Sequence, residues 1–415
     1  MKNIRFIGLL FLFLAIVYSG CDFRKLPLPV EKSGVTAFGA NDTSYIEVKP
    51  VWNSSYLGKN LNQPTDIIVG PDGYLWVANS GNNEIFSLTK AGEILSSHDF
   101  NQIRPLSHPT ALSLDSKLNL LMVNGSDTIF VWNEYVNLIG IDSIASQIVF
   151  KRLSGDTVHY SVEKGAAFLK SGVDSLHFER YLFQKNESDI RPVRFIHPFY
   201  ISPDPDLKYM GIAAGKYASE EVYVSETFRN RIARFRLIPE FRLRLKNGVE
   251  VFSYKGRFDR NVVTYGSGAG TVDTPRGIFV DQSGNLYLTQ LGGNFLVQKL
   301  VAGTFISQYE LHKDPIMDLN RFAKPVDVSL DGDNNIFVID RELKKVFKFG
   351  NSGSAAGKEI SLGNKGLGVA KFVDPRGILV TDKVVYVTDA GANEIRRFKL
   401  SVSESDLPNP DQNQP

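Results

Sequence analysis

The stretch "PRGIFVDQSGNLYLTQLGGNFLVQKL", Pro275 to Leu300, decides the fold. A proline opens an apolar strand, Gly277 to Asp281, and Gln282-Ser283-Gly284-Asn285 turns the chain. Leu286 to Gln290 reads as a second strand, a Gly-Gly-Asn loop follows, and Phe295 to Val301 reads as a third. Gly and Asn tolerate the positive φ that tight hairpins demand. "FISQYEL", from Phe305, supplies a fourth strand.

The same phrase recurs as "PTDIIVGPDGYLWVANSGNNEIFSL" from Pro64 and "PRGILVTDKVVYVTDAGANEIRRFKL" from Pro375. Openings of this kind stand at Pro64, Pro109, Pro198, Pro275, Pro325 and Pro375. Their intervals are about 45 to 50 residues, with two longer gaps, the period of a repeat architecture. Four antiparallel strands cannot bury both faces alone, and stacked radially they make a β-propeller. In the longest gap, between Ile144 and Phe183, "QIVFKRL", "TVHYSV" and "SLHFERYLF" supply strands without the proline opening, a decayed unit. Counting it gives seven blades, the reading preferred; treating it as an insertion gives six. The last unit ends at Leu400 after three strands, while "YIEVKPVW" at Tyr45 has no unit of its own. That N-terminal strand is expected to complete the last blade and remove its free edge.

The composition agrees. Apolar residues make up 43% of 415, charged residues 22%, and 28 Phe, 16 Tyr and 35 Gly favour strands and tight turns over helices. A net charge of +2 gives no field that argues for nucleic acid, and none is expected as partner.

Residues 1–20 read as a secretory signal, with Lys2 and Arg5 ahead of an apolar run from Phe6 to Tyr18 and small Ser19 and Gly20. The only cysteine, Cys21, follows at once. This resembles the lipobox of bacterial lipoproteins, with Tyr18 where that family usually has Leu. The resemblance implies that Cys21 is lipidated and that the protein is held at a membrane of the cell envelope. With a single Cys, no intrachain disulfide can form. Residues 21–44 read as a tether, 45–402 as the propeller and 403–415 as a disordered tail.

"SGAGTVDTPRGIFVDQSGNLYLTQ" and "GLGVAKFVDPRGILV" with "VVYVTDAGANEIRRF" resemble NHL repeats: a Gly-rich lead-in, Pro-Arg-Gly, a strand, a turn, a Tyr-Val-Asp strand and an Asn-containing loop. The match is close in the first and last three units, partial at Pro109 and Pro198, and absent in the middle. The family hosts unlike functions, so sites must be weighed singly.

Asn79, Glu226, Asp340 and Asp389 end second strands, and their repetition points to loop anchoring rather than metal binding. His108 and His197 both precede a repeat proline, at the expected entrances to innermost strands. Propellers resembling peptidyl-hydroxyglycine lyases bind zinc through channel histidines, and His108, His197 and Asp374 could make a three-ligand open site for zinc. A third histidine at an equivalent place is missing. Calcium-dependent lactonase propellers need a Glu, Asn and Asp set that spacing alone does not identify. No Gly-x-Ser-x-Gly elbow occurs.

Residues 229–260 read as an inserted hairpin rich in arginine, turning at Asn247-Gly248. Phe241, Leu243 and Leu245 alternate with Arg242, Arg244 and Lys246. With Arg234 and Arg236 these basic residues would suit an anionic partner, or ward off strand pairing at an edge. The sequence therefore supports a monomeric, lipid-anchored binding scaffold without a firm cofactor, contacting an envelope protein or an anionic surface ligand. The alternatives are a channel-site metal-dependent lyase or lactonase, and a sensor of a small ligand.

Overall fold

A computed structural model describes residues 44–99, 107–116, 118–133, 148–151, 157–159, 197–215, 220–245, 250–311, 313–354 and 372–401. The signal segment, Cys21, nearly all of the tether, "SLHFERYLF", Lys246 and the C-terminal tail lie outside these residues.

The chain is an all-β propeller of antiparallel blades, and six sheets are formed. Strand β1 (Ser44–Glu47) leads, followed by a one-turn helix, Ser54–Leu57, capped by Asn53. Blade I holds β2 (Pro64–Val69), β3 (Leu75–Asn79), β4 (Glu84–Leu88) and β5 (Ile94–Asp99). Blade II begins with β6 (Ala111–Leu114), β7 (Asn119–Val123) and β8 (Thr128–Asn133). The chain then makes β9 (Ile148–Lys151) and β10 (Thr157–His159) before β11 (His197–Ile201) returns to pair with β8 as the outer strand of blade II. Blade III holds β12 (Tyr209–Ala214), β13 (Glu221–Glu226), β14 (Arg231–Leu245) and β15 (Glu250–Val263). Blade IV has β16 (Pro275–Val280), β17 (Leu286–Gln290) and β18 (Val297–Leu300), and blade V has β19 (Pro325–Leu330), β20 (Ile336–Asp340) and β21 (Lys345–Phe349). Blade VI has β22 (Pro375–Thr381), β23 (Val384–Asp389) and β24 (Glu394–Ser401), with β1 paired to β24 in the register Ser44 opposite Ser401.

The innermost strands β2, β6, β12, β16, β19 and β22 touch in that order, and β22 touches β2 again. The second strands are buried: every residue of β3, β7, β17 and β20 is, including the polar end residues Asn79, Gln290 and Asp340. Their side chains fill successive gaps between blades. One cluster joins Trp76 and Ile85 of blade I to Leu112 and Trp132 of blade II, and another joins Val338 of blade V to Tyr287 of blade IV. The two faces that a lone blade would leave wet are thus buried by its neighbours.

Hairpin turns are built by aspartates. Asp281 accepts the N–H groups of Ser283 and Asn285 and the Nδ2 of Asn285, and Asp331 does the same with Asp333 and Asn335. These are the side-chain-to-backbone bonds that make Asp and Asn turn residues. Residues ending second strands tie down the preceding loop. Asp340 accepts from Ala323, Lys324, Glu342 and Leu343, Asp389 from Val373 and Asp374, and Asn79 from Asn62. Gln290 occupies the same place in blade IV, accepting from Asp273.

Three expectations are corrected. The ring has six blades rather than seven, because β9 and β10 do not form a blade of their own: β9 pairs with the far end of β14, Leu245 opposite Ile148. Pro198 does not open a blade either. It lies in the outer strand of blade II, opposite Phe130, and the inner strand of blade III is "YMGIAA". Tyr209 there donates its N–H to the Ser126 carbonyl, a bond proline cannot make. Finally, "FISQYEL" does not form a fourth strand in blade IV. It makes a single bridge, Ser307 opposite Leu300.

Candidate functional site

The innermost strands set the chemistry of the channel. After its first residue each of β2, β12, β16, β19 and β22 shifts register, leaving a bulge. A bulge frees a backbone N–H that something must satisfy. In blades III, IV and VI the third residue of the strand, at the bulge, is glycine, and a hydroxyl on the second strand accepts its N–H: Ser225 for Gly211, Thr289 for Gly277, Thr388 for Gly377. Glycine is required because the next inner strand stands too close. A Cβ on Gly377 would lie 2.8 Å from the Asp66 Cα, and one on Gly211 2.1 Å from the Arg276 carbonyl.

Blades I and V solve the same problem differently. The second-strand residues opposite are Ala78 and Ile339, which carry no hydroxyl. Asp66 and Asp327 stand in the glycine position instead. Asp66 accepts the N–H of Ile67 at 2.7 Å and that of Leu112, on the next inner strand, at 2.6 Å. Asp327 accepts from Val328 and, across the blade gap, from Ile378, both at 2.9 Å. Burial pushes the Asp66 carboxyl up to about 7, against the two backbone bonds that favour its ionised form. Burial and the nearby Asp66 push Asp327 well above the carboxylate range. Both carboxylates therefore bridge neighbouring blades, and sequence reasoning missed them. The legible signal was "PTD" at Pro64 and "PVD" at Pro325 where the units at Pro275 and Pro375 carry "PRG".

Within the ring lies a cavity of about 320 Å³, lined by all six inner strands. Ile68, Met210, Phe279 and Val326 are half-buried on its wall. At the end where the inner strands begin, three guanidinium groups line it: Arg276 of β16, Arg341 just after β20, and Arg376 of β22. Arg341 Nε reaches Asp374 Oδ1 at 2.5 Å, and Arg376 meets Asp374 Oδ2 at 2.7 and 3.0 Å. Burial works against the Asp374 anion, but the two arginines outweigh it and hold its pKa below the usual carboxylate range. Arg276 Nε is buried without a hydrogen-bond partner among the described residues. Burial first, and then the charges of Arg376 and Arg341, lower the pKa of Arg276.

The residues singled out from sequence fall apart in space. His108 does enter an inner strand, exposed and at φ 54°, with its N–H donated to Asn83 Oδ1. His197 does not: it begins β11, opposite Val131 at the outer edge of blade II. Asp374 is engaged by Arg341 and Arg376. Among the described residues no group of three His, Cys, Asp or Glu side chains could hold a metal ion.

In the hairpin, Arg234 bonds Glu221 at 2.9 Å and Asp259 at 2.5 Å, so its charge is matched within blade III. Burial lowers the Arg234 pKa, but its hydrogen bond to Asp259 and the surrounding acids more than reverse this and raise it overall. Arg236 is 47% exposed, with Asp259 at 3.6 Å. Arg242 and Arg244 belong to the distal part of β14, where Arg244 pairs in register with Glu250 on one side and Val149 on the other.

No protein-family profile matches the chain. No curated protein matches it either. Solved structures do resemble it. A virginiamycin B lyase from Staphylococcus aureus is 12% identical, covering 87% of this chain and 99% of its own at a TM-score of 0.46. An aldose sugar dehydrogenase from Streptomyces coelicolor is 12% identical over 88% and 100%, with a TM-score of 0.46. A gluconolactonase from Xanthomonas campestris is 8% identical over 88% and 99%, with a TM-score of 0.44. At such identities the likeness carries nothing about activity.

Proposed function

We propose that this chain is a small-molecule-binding β-propeller of NHL type, held at the cell envelope by a lipid on Cys21, with its ligand seated in the central channel. The observation that carries the reading is the channel cavity: about 320 Å³ within a ring of strands, lined mostly by apolar side chains together with the carboxyls of Asp66 and Asp327, and with three arginines at one end. Ligand sites are commonly concave and mostly apolar, with a few convergent polar groups. The pairing of β1 with β24 supports a ring closed by the N-terminal strand, which would keep such a cavity at fixed dimensions. The position of Cys21 behind an apolar leader supports the anchor.

The test is to purify the full-length chain from its own cells, unfold it, and identify the small molecules released. Met210→Trp, which fills the channel, is the comparison. The wild type should release a compound that the variant lacks; equal release from both would remove the channel reading. The anchor is tested separately. Cys21→Ala should move the protein from the membrane fraction to the soluble fraction, and retention in the membrane would refute lipidation.

A further inference from the structure

We propose that Arg276, Arg341 and Arg376 form a cradle for an oxyanion, so that the channel ligand is an organic anion, carboxylate or phosphate at one end and largely apolar along its body. The proposal rests on the channel reading above and names the chemistry of its ligand. The three guanidiniums come from blades IV, V and VI, consecutive around the ring, and line the same end of one cavity. Their positions follow from the repeat. Arg276 and Arg376 are the residues after the opening prolines Pro275 and Pro375, and Arg341 follows the loop-anchoring Asp340.

Three cations brought together repel one another, and one carboxylate, Asp374, is bonded to two of them. Arg276 is left with a buried Nε that nothing satisfies among the described residues. A guanidinium nitrogen buried without a partner is unfavourable. An incoming carboxylate or phosphate reverses that balance, because the planar fork of arginine meets two oxygens of such a group at once. Beyond the cradle the half-buried side chains of Ile68, Met210, Phe279 and Val326 offer only apolar contact. An inorganic anion would leave that wall unused, whereas an aryl or alkyl anion would cover it. The lowered pKa of Arg276 accords with a site that holds excess positive charge until an anion arrives.

The experiment is isothermal titration of the full-length chain in detergent with benzoate, phenyl phosphate and neutral benzamide. At least one anion should bind at least tenfold more tightly than benzamide, and which one binds separates carboxylate from phosphate. Arg276→Gln should weaken that anion at least tenfold, as expected for loss of a charge-assisted hydrogen bond. Benzamide binding should stay as it is, and so should thermal stability, because the substitution removes an unpaired charge. Arg236→Gln, on the exposed hairpin, should leave all three titrations unchanged. If benzamide matches the anions, or Arg276→Gln leaves anion binding intact, the cradle is overturned while the channel reading stands. A channel that takes none of the three probes overturns both.

Discussion

The bridging carboxylate Asp66 makes the stability of the ring depend on pH in a stated direction. Its folded pKa is about 7 against an unfolded value near 3.8, so between those values the folded chain holds a proton that the unfolded chain has released. Stability attributable to Asp66 is therefore fully present below pH ~4, declines through the interval, and is lost above pH ~7. One proton corresponds to about 1.4 kcal/mol per pH unit, or about 4 kcal/mol across the window. With an unfolding entropy near 2.1 cal/mol/K per residue, a propeller of this size should lose about 2 °C of Tm per pH unit. Asp66→Asn removes the titration, and it also removes the charge that pushes Asp327 upward, an effect of the same sign. The amide cannot accept both the Ile67 and Leu112 N–H groups, so the variant starts with a constant deficit of about 1 to 3 kcal/mol. The measurement is thermal unfolding by circular dichroism from pH 4 to pH 8 in both proteins. Wild-type Tm should fall relative to the variant by about 5 °C in all. Parallel curves would mean that Asp66 is ionised throughout, and the reasoning from its burial would be wrong.

Two further outcomes follow from the packing. Trp52 is fully buried against Tyr386, with the Arg397 guanidinium 4.3 Å above its ring, so Trp52→Ala should destabilise the fold by about 3 to 5 kcal/mol in chemical denaturation. A change under about 1 kcal/mol would show that the segment around Trp52 contributes little to holding the ring. Thr388→Val keeps the side-chain volume but leaves the Gly377 N–H unsatisfied; the loss should be about 1 to 3 kcal/mol, and an unchanged denaturation midpoint would refute the bulge-capping role.

Much of the fold was readable because its local chemistry repeats. Proline before an inner strand, Asp-x-x-x-Asn at the hairpin turn and Asn before an outgoing strand each answer a backbone requirement that every blade shares. Reading failed where a blade met the requirement by other means. "HPFYIS" looks like a blade opening yet lies in an outer strand, while the inner strand "YMGIAA" opens on tyrosine, held through an N–H that proline lacks. Two of the three strands of the supposed decayed unit are formed, but they extend the long hairpin, and pairing between segments so distant leaves no local mark. The candidate site was hidden for a related reason. Arg276 and Arg376 sit within the repeat signature, and only the curvature of the ring brings them to Arg341. Asp66 and Asp327 depart from that signature in plain view, but the departure has meaning only once Ala78 and Ile339 are known to lie opposite.

The small amide latches at the strand entrances bear on how the ring came to be joined. Asn83 of blade I accepts the N–H of His108 in blade II, Asn230 of blade III that of Thr274 in blade IV, and Asn393 of blade VI that of Gln63 in blade I. In each pair both residues take positive φ, so the geometry at the last junction is the geometry of the others. At the level of the inner strands the molecule carries no memory of where its chain starts. Among the described residues the closing blade differs at its rim, where β1 lies against β24, and a duplicated blade could be added at any of these three interfaces with the same joint already in place.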